Sequence, residues 1–333
     1  MQHINNSTHK IKATNEQIQE MIDYYQGYLV YGSSNYTIAR AKLANVMITF
    51  YRTNVVLFQG LDEANEYNKW AKKFNLPLEK VTVTKIVDYS NATAICTDEV
   101  GTGDYFGPIV VCATYVDQNA NEQLRKLGVK DSKLLTDKQM IPLALKIASI
   151  VPYSIIFLDP LKFNSLSGKY DNLNFVKSYL HNKVINSILK KLGDVKYDAI
   201  LIDEFTPKEN YLKYLENQAN VIKNVTTVVK GEKEHIGIAA SSILARAAFL
   251  RELRKMSIEY KIELLKGAGR EVDRCAISFV KSYGFEELKK TAKIKFTNTE
   301  RIIKYFEENP LPKSRLVGLD DIKKHINYDW CFK

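Results

Sequence analysis

No two of the four cysteines stand at a CxxC spacing, and no apolar run approaches the ~18 residues that a membrane-crossing helix needs. The first absence leaves Cys96, Cys112, Cys275 and Cys331 without a paired-thiol motif. Cys96 and Cys112 lie inside apolar, strand-like runs, which suits small buried thiols. The second excludes a spanning helix. Internal repeats and low-complexity stretches are also lacking, and no signal-peptide pattern precedes the polar start MQHINNSTHK. The expectation is a reduced, cytoplasmic protein away from the membrane.

What is present fits a folded chain. Hydrophobic residues make up 45% and charged residues 26% of 333, which argues against wholesale disorder. That length points to two domains. The net charge of +10 favours a polyanionic partner. Residues 1–85 hold ten Lys/Arg against seven Asp/Glu, so +7 of the +10 lies in the remainder. A single basic tail therefore does not carry the excess.

THKIKATNEQIQEMIDYY reads as opening a helix, with Thr14 and Gln17 as a capping box. YTIARAKL, VMITFYRT and VVLFQG are short strands, and Thr53-Asn54 resembles a hairpin turn. A helix through DEANEYNKWAKKF and then LPLEKVTVTK complete a unit over residues 1–85. From residue 90, strands alternate with helices, the mark of an α/β domain on a mixed sheet, with a C-terminal tail over 311–333. Its strands are ATAICTDEV, PIVVCATYV, VPYSIIFLDP, YDAILIDEF and NVTTVV; KGEKEH then reads as a loop. Thr136 with Gln139, and Thr206 with Pro207 and Glu209, mark helix starts.

Acids at the ends of apolar strands are costly unless solvated, paired or bound to a cation. Asp98-Glu99, Asp203-Glu204 and Glu232 occupy three such ends. Taken singly, each reads as a solvated strand cap or half of a surface ion pair. Together, converging where an open α/β sheet forms its ligand crevice, they would repel one another unless Mg²⁺ or Mn²⁺ held them. An all-oxygen set suits two-metal phosphodiester chemistry, with ions ~3.5–4 Å apart. Adjacent strand residues face opposite ways, so Asp98 and Glu99 reaching one site implies a strand that ends or bulges at Glu99, with Gly101 and Gly103 permitting it.

At these residues the chain resembles bacterial ribonuclease HIII, of the ribonuclease HII/HIII family (type 2 ribonuclease H). The resemblance runs through TDEVGTGDYFGPIVVCATYV, GVKDSKLL, ILIDEF, KGEKEHIGIAASSILAR, KGAGREVD and KIKFTNTE, in that order, over about residues 90–300. It implies a ribonuclease H-like mixed-sheet catalytic domain over 90–310, preceded by a small TBP-like α+β domain over 1–85. It implies an endoribonuclease that hydrolyses the RNA strand of RNA–DNA hybrids with two divalent ions and leaves 5′-phosphate and 3′-hydroxyl ends. The catalytic, metal-holding set is then Asp98, Glu99, Asp203 and Glu232, with Glu234 as the substitute for the last. Gly101-Thr102-Gly103 would read 2′-hydroxyls through its backbone. Ser132, Lys133 and Lys266 would contact phosphate, with Lys293, Lys295 and Asn298 as weaker candidates.

Arg40, Lys42 and Arg52, with Tyr51, would grip the hybrid from the first domain, Tyr51 being equally readable as core. His181 and His235 read as packing or accessory groups, Ser241-Ser242 as a close helix–sheet contact, Arg246 as a partner for an acid, and Asp104 as a turn residue. The expected partner is hybrid nucleic acid and the expected state a monomer. The alternatives are ribonuclease HII-like cleavage at single embedded ribonucleotides and a non-catalytic hybrid-binding protein.

Overall fold

A computed structural model describes residues 8–30, 35–60, 62–79, 87–129 and 135–326. The chain divides into two compact units, Met1–Val87 and Asp88–Lys333.

In the first unit, β1 (Thr8–Lys12), β2 (Thr37–Lys42), β3 (Val46–Tyr51) and β4 (Val55–Gly60) form an antiparallel sheet in the order β1-β4-β3-β2. Helices α1 (Asn15–Tyr24) and α2 (Glu63–Lys73) complete it. The box of Thr14 and Gln17 caps α1, whereas Thr8–Lys12 is a strand and not the helix lead-in expected. Its backbone pairs with β4 from Thr8–Gln59 to Lys12–Val55. Asn54 turns the β3–β4 hairpin at φ 61°. Ile11, Ile48, Phe50, Val56 and Phe58 bury one sheet face with Met21, Tyr25 and Trp70 of the helices. Alternation along the strands sends Lys10, Leu57, Thr49 and Arg40 to the other face, where register sets them in one row. Most of LPLEKVTVTK lies outside the described residues.

The second unit carries β5 (Ala94–Val100), β6 (Ile109–Val116), β7 (Tyr153–Leu158), β8 (Ala199–Asp203) and β9 (Thr226–Val228) in the order β7-β6-β5-β8-β9. β5, β6 and β7 pair antiparallel, while β8 and β9 run parallel to β5. Three carboxyl-terminal strand ends therefore open side by side. The helices are α3 (Gln118–Lys126), α4 (Asp137–Ile150), α5 (Pro160–Asn164), α6 (Leu173–Leu192), α7 (Lys208–Leu215), α8 (Gly231–Glu234), α9 (Ile236–Glu259), α10 (Arg270–Tyr283), α11 (Phe285–Thr291), α12 (Thr297–Glu308) and α13 (Leu319–Ile326).

Helix α9 packs on one face of β5 and β6 and α6 on the other. Close approach of α9 needs small residues: a Cβ on Gly237 would come 2.6 Å from Cys96 Sγ, and Ser241 Oγ donates to the Cys96 carbonyl at 2.8 Å. This is the helix contact expected of the serine pair. Two local expectations differ. Helix α7 begins at Lys208 with Pro207 at its cap and no side-chain cap, so Thr206 does not serve. The KGEKEH stretch contains the helical turn α8. In its described part the expected tail carries α13 and packs on this unit through Leu311, Leu316, Leu319 and Ile322.

Candidate active site

Asp98, Glu99, Asp203 and Glu232 line one cleft of about 420 Å³, beside Gly101, Thr102 and Gly103. Asp98 and Glu99 end β5, Asp203 ends β8, and Glu232 sits in α8 just past β9. Glu234 does not line the cleft.

The expected bulge is absent. β5 stays in register with β6 through Asp98–Cys112, Glu99–Val111 and Val100–Val110. The two acids accordingly leave opposite faces, Asp98 toward Ser242 of α9 and Glu99 toward α6. They meet in the cleft because the sheet stops one residue later, so both can border the space beyond its end. Gly101 makes that stop possible. Its φ is +95°, and a Cβ there would fall 2.2 Å from the Pro108 carbonyl oxygen. Gly103 differs, because nothing lies within 4 Å of its Cβ position.

The electrostatics of the pair are opposed. Burial, followed by the charges of Glu99 and Asp203, pushes the Asp98 carboxyl well above the usual carboxylate range. Burial also acts against Glu99, but the His181 hydrogen bond and the Lys177 charge outweigh it and bring its pKa down to about 2. Lys177 Nζ lies 2.6 Å from Glu99 Oε1, and His181 Nε2 lies 3.0 Å from Oε2. The ring is fixed from behind by Thr97 Oγ1, 2.8 Å from Nδ1, and by stacking on Phe205. His181 is thus a partner of a cleft acid, a role its apolar helix neighbours did not advertise. Lys177 carries a single local signal in the sequence, its i,i+4 spacing to His181.

Asp203 Oδ1 accepts from the Gly231 N–H at 2.9 Å, which seats α8 and with it Glu232. A Cβ on Gly231 would stand 3.0 Å from that oxygen. Glu204 instead accepts from Thr227 Oγ1, on β9. On the cleft wall, Lys266 and Arg246 both pair with Asp137 at the start of α4. Asp104, expected to steady a turn, has a longer reach: Oδ1 accepts from the Gly267 N–H at 2.6 Å.

Other candidates are placed elsewhere. Lys293 is buried, donating to the Gly107 carbonyl at 2.5 Å, and burial brings its pKa down to about 7. Lys295 is held by Asp171 and the Leu166 carbonyl, and Asn298 by Asp273 and the Ala268 carbonyl. These three are internal braces, not surface phosphate contacts. His235 Nδ1 accepts from the Gly237 N–H and Nε2 lies 3.0 Å from the Ala92 carbonyl, a neutral cap whose pKa burial lowers. Ser132 and Lys133 lie outside the described residues. Arg40 and Lys42 project from the open face of the first unit's sheet, and Arg52 sits in its β3–β4 turn. Tyr51 follows Thr49 on that open face and is half-buried, not core.

The donor chemistry fits hard divalent cations: carboxylate oxygens only, one of them on a buried acid crowded by two other acids. Among the described residues no three acidic, histidine or cysteine side chains already close on one point.

A mixed sheet with an all-oxygen carboxylate cleft at its parallel strand ends suits hydrolysis of phosphodiesters. The family model for Ribonuclease HII matches residues 95–299, and that for Domain of unknown function (DUF3378) matches residues 8–82. Ribonuclease HIII of Enterococcus faecalis is 39% identical over 297 residues, covering 88% of this chain and 97% of that protein. Ribonuclease HIII of Listeria monocytogenes is 40% identical over 271 residues, 79% of this chain and 87% of that one. The crystal structure of Bst-RNase HIII in complex with Mn²⁺ aligns with a TM-score of 0.63 at 32% identity, over 91% of this chain and 100% of that chain. Aquifex aeolicus RNase H3, at 21% identity and a TM-score of 0.50 over 86% of this chain and 99% of that chain, shares the fold. The chain belongs to the ribonuclease HII/HIII family. It is a ribonuclease, a phosphodiester hydrolase.

Proposed function

We propose that the protein is an endoribonuclease that cuts the RNA strand of RNA–DNA hybrids, leaving 5′-phosphate and 3′-hydroxyl ends. The observation that carries this reading is the meeting of four carboxylates with a glycine loop in one cleft. Asp98, Glu99, Asp203 and Glu232 would hold two divalent ions, Mg²⁺ or Mn²⁺. Such ions activate the attacking water and stabilise the leaving oxygen.

The chain's own groups do the rest. Gly101 turns the loop out of the sheet, and Gly103 leaves its backbone open to a ribose 2′-hydroxyl. Lys266 stands on the cleft wall as a phosphate contact. Ser132 and Lys133 join it on the family resemblance. The first unit adds grip: its four strands contain no Asp or Glu, and its open face presents Lys10, Lys12, Arg40 and Lys42. We infer a monomer acting in the cytoplasm.

The test is cleavage of a long RNA–DNA hybrid beside RNA duplex, DNA duplex, each single strand and a DNA duplex with one embedded ribonucleotide, in Mg²⁺ and in Mn²⁺. Preferential cutting of the hybrid supports the reading. Cutting only at the embedded ribonucleotide favours the ribonuclease HII-like activity, and no cutting under any condition overturns the assignment.

A further inference from the structure

Lys177 and His181, one helical turn apart on α6, grip the two oxygens of Glu99 in different ways. The His181 ring is fully buried, held by Thr97 and stacked 5.1 Å from Phe205, so its nitrogen is a fixed point. Lys177 carries its ammonium on a four-carbon stem and lies 4.3 Å over the same Phe205 ring. Its side chain is 12% exposed and that of Glu99 10%, so water screens the pair weakly.

We propose that Lys177 is the cleft's built-in counter-ion: it neutralises Glu99 while no divalent cation is bound and competes with the cation for that carboxylate. His181 is the pivot that keeps Oε2 in place, while Oε1 is the oxygen that the mobile ammonium can surrender. An ammonium and a divalent cation beside one carboxylate repel each other. Weakening the lysine's hold therefore strengthens the cation's, by the reciprocity of coupled binding. Lys177 is a positioning residue, acting through Glu99 and setting how readily the cleft takes metal. The inference rests on the metal-binding reading of the cleft.

The test measures Mn²⁺ binding to the full chain by electron paramagnetic resonance of the free ion, with thermal unfolding recorded with and without Mn²⁺. Wild type is compared with Lys177→Met and Lys177→Arg. The methionine variant is expected to bind Mn²⁺ about fivefold tighter, the low end of coupling between sites. It should also melt earlier without Mn²⁺ and gain more from its addition. The arginine variant, which keeps the charge, returns both values toward wild type. Equal Mn²⁺ affinity and an equal Mn²⁺-induced rise in melting temperature for wild type and Lys177→Met would overturn the counter-ion role. Absence of Mn²⁺ binding by wild type itself would instead remove the metal reading beneath it.

Discussion

Asp104 Oδ1 accepts a hydrogen bond from the Gly267 N–H at 2.6 Å, tying the glycine loop after β5 to the loop that carries Lys266. The Tyr105 N–H returns to the Gly267 carbonyl at 2.8 Å, so the two strands of the cleft's rim are joined twice. Asp104→Ala leaves a partly buried N–H unpaired, at an expected cost of about 1–3 kcal/mol in urea unfolding. Hybrid cleavage should fall with it. Asp104→Asn keeps an acceptor oxygen and should recover most of both.

The two loop glycines separate folding from function. Gly101→Ala places a methyl against the Pro108 carbonyl at positive φ, with an expected destabilisation of about 1–3 kcal/mol. Gly103→Ala meets open space and should unfold within about 0.5 kcal/mol of wild type, yet raise KM for hybrid by holding the backbone off the ribose. Paired unfolding and steady-state kinetics check this, and a Gly103→Ala enzyme with wild-type KM would contradict the loop's assigned role.

Lys266 and its partner Asp137 predict opposite effects on hybrid binding. Lys266→Ala should reduce by about one the slope of log affinity for hybrid against log salt. Asp137→Asn, which frees Lys266 and Arg246 from their shared carboxylate, should tighten hybrid binding. Fluorescence anisotropy at several salt concentrations, with metal omitted to prevent cleavage, measures both.

Lys293 predicts a pH signature. Its pKa is about 7 in the folded chain against an ordinary 10.5. Between those values the unfolded chain binds more protons, so this residue makes stability rise with pH, by at most ~1.4 kcal/mol per unit. Below about pH 7 its contribution levels off. Lys293→Met should remove that slope in urea unfolding from pH 7 to 10.

Much of this was legible in the sequence where the signal is local. Acids at strand ends and the Thr14 and Thr136 boxes are set by neighbours in the chain. The alternation of strands and helices is equally local. The bulge expected at Glu99 was not needed, because a strand that ends at Val100 lets side chains from both faces border the space beyond it. Thr8–Lys12 read as helix because its five residues, with one buried isoleucine, hold too little alternation to declare a strand. The grip of Lys177 and His181 on Glu99 depends on α6 docking across the sheet, with about 80 residues between the partners. Lys293, Lys295 and Asn298 share a polar, basic stretch with surface segments, and only the packed fold shows that they brace it from within.

Asp98 bears most directly on the central claim, since it is the buried acid between two others. Single-turnover cleavage of a long RNA–DNA hybrid by Asp98→Asn, with hybrid affinity measured on the same sample, tests it. The predicted result is a rate lower by ~10²–10³-fold or more with affinity within about threefold of wild type. A variant that binds hybrid as wild type does and cuts it at a rate within about tenfold would contradict the assignment of this cleft as the catalytic centre.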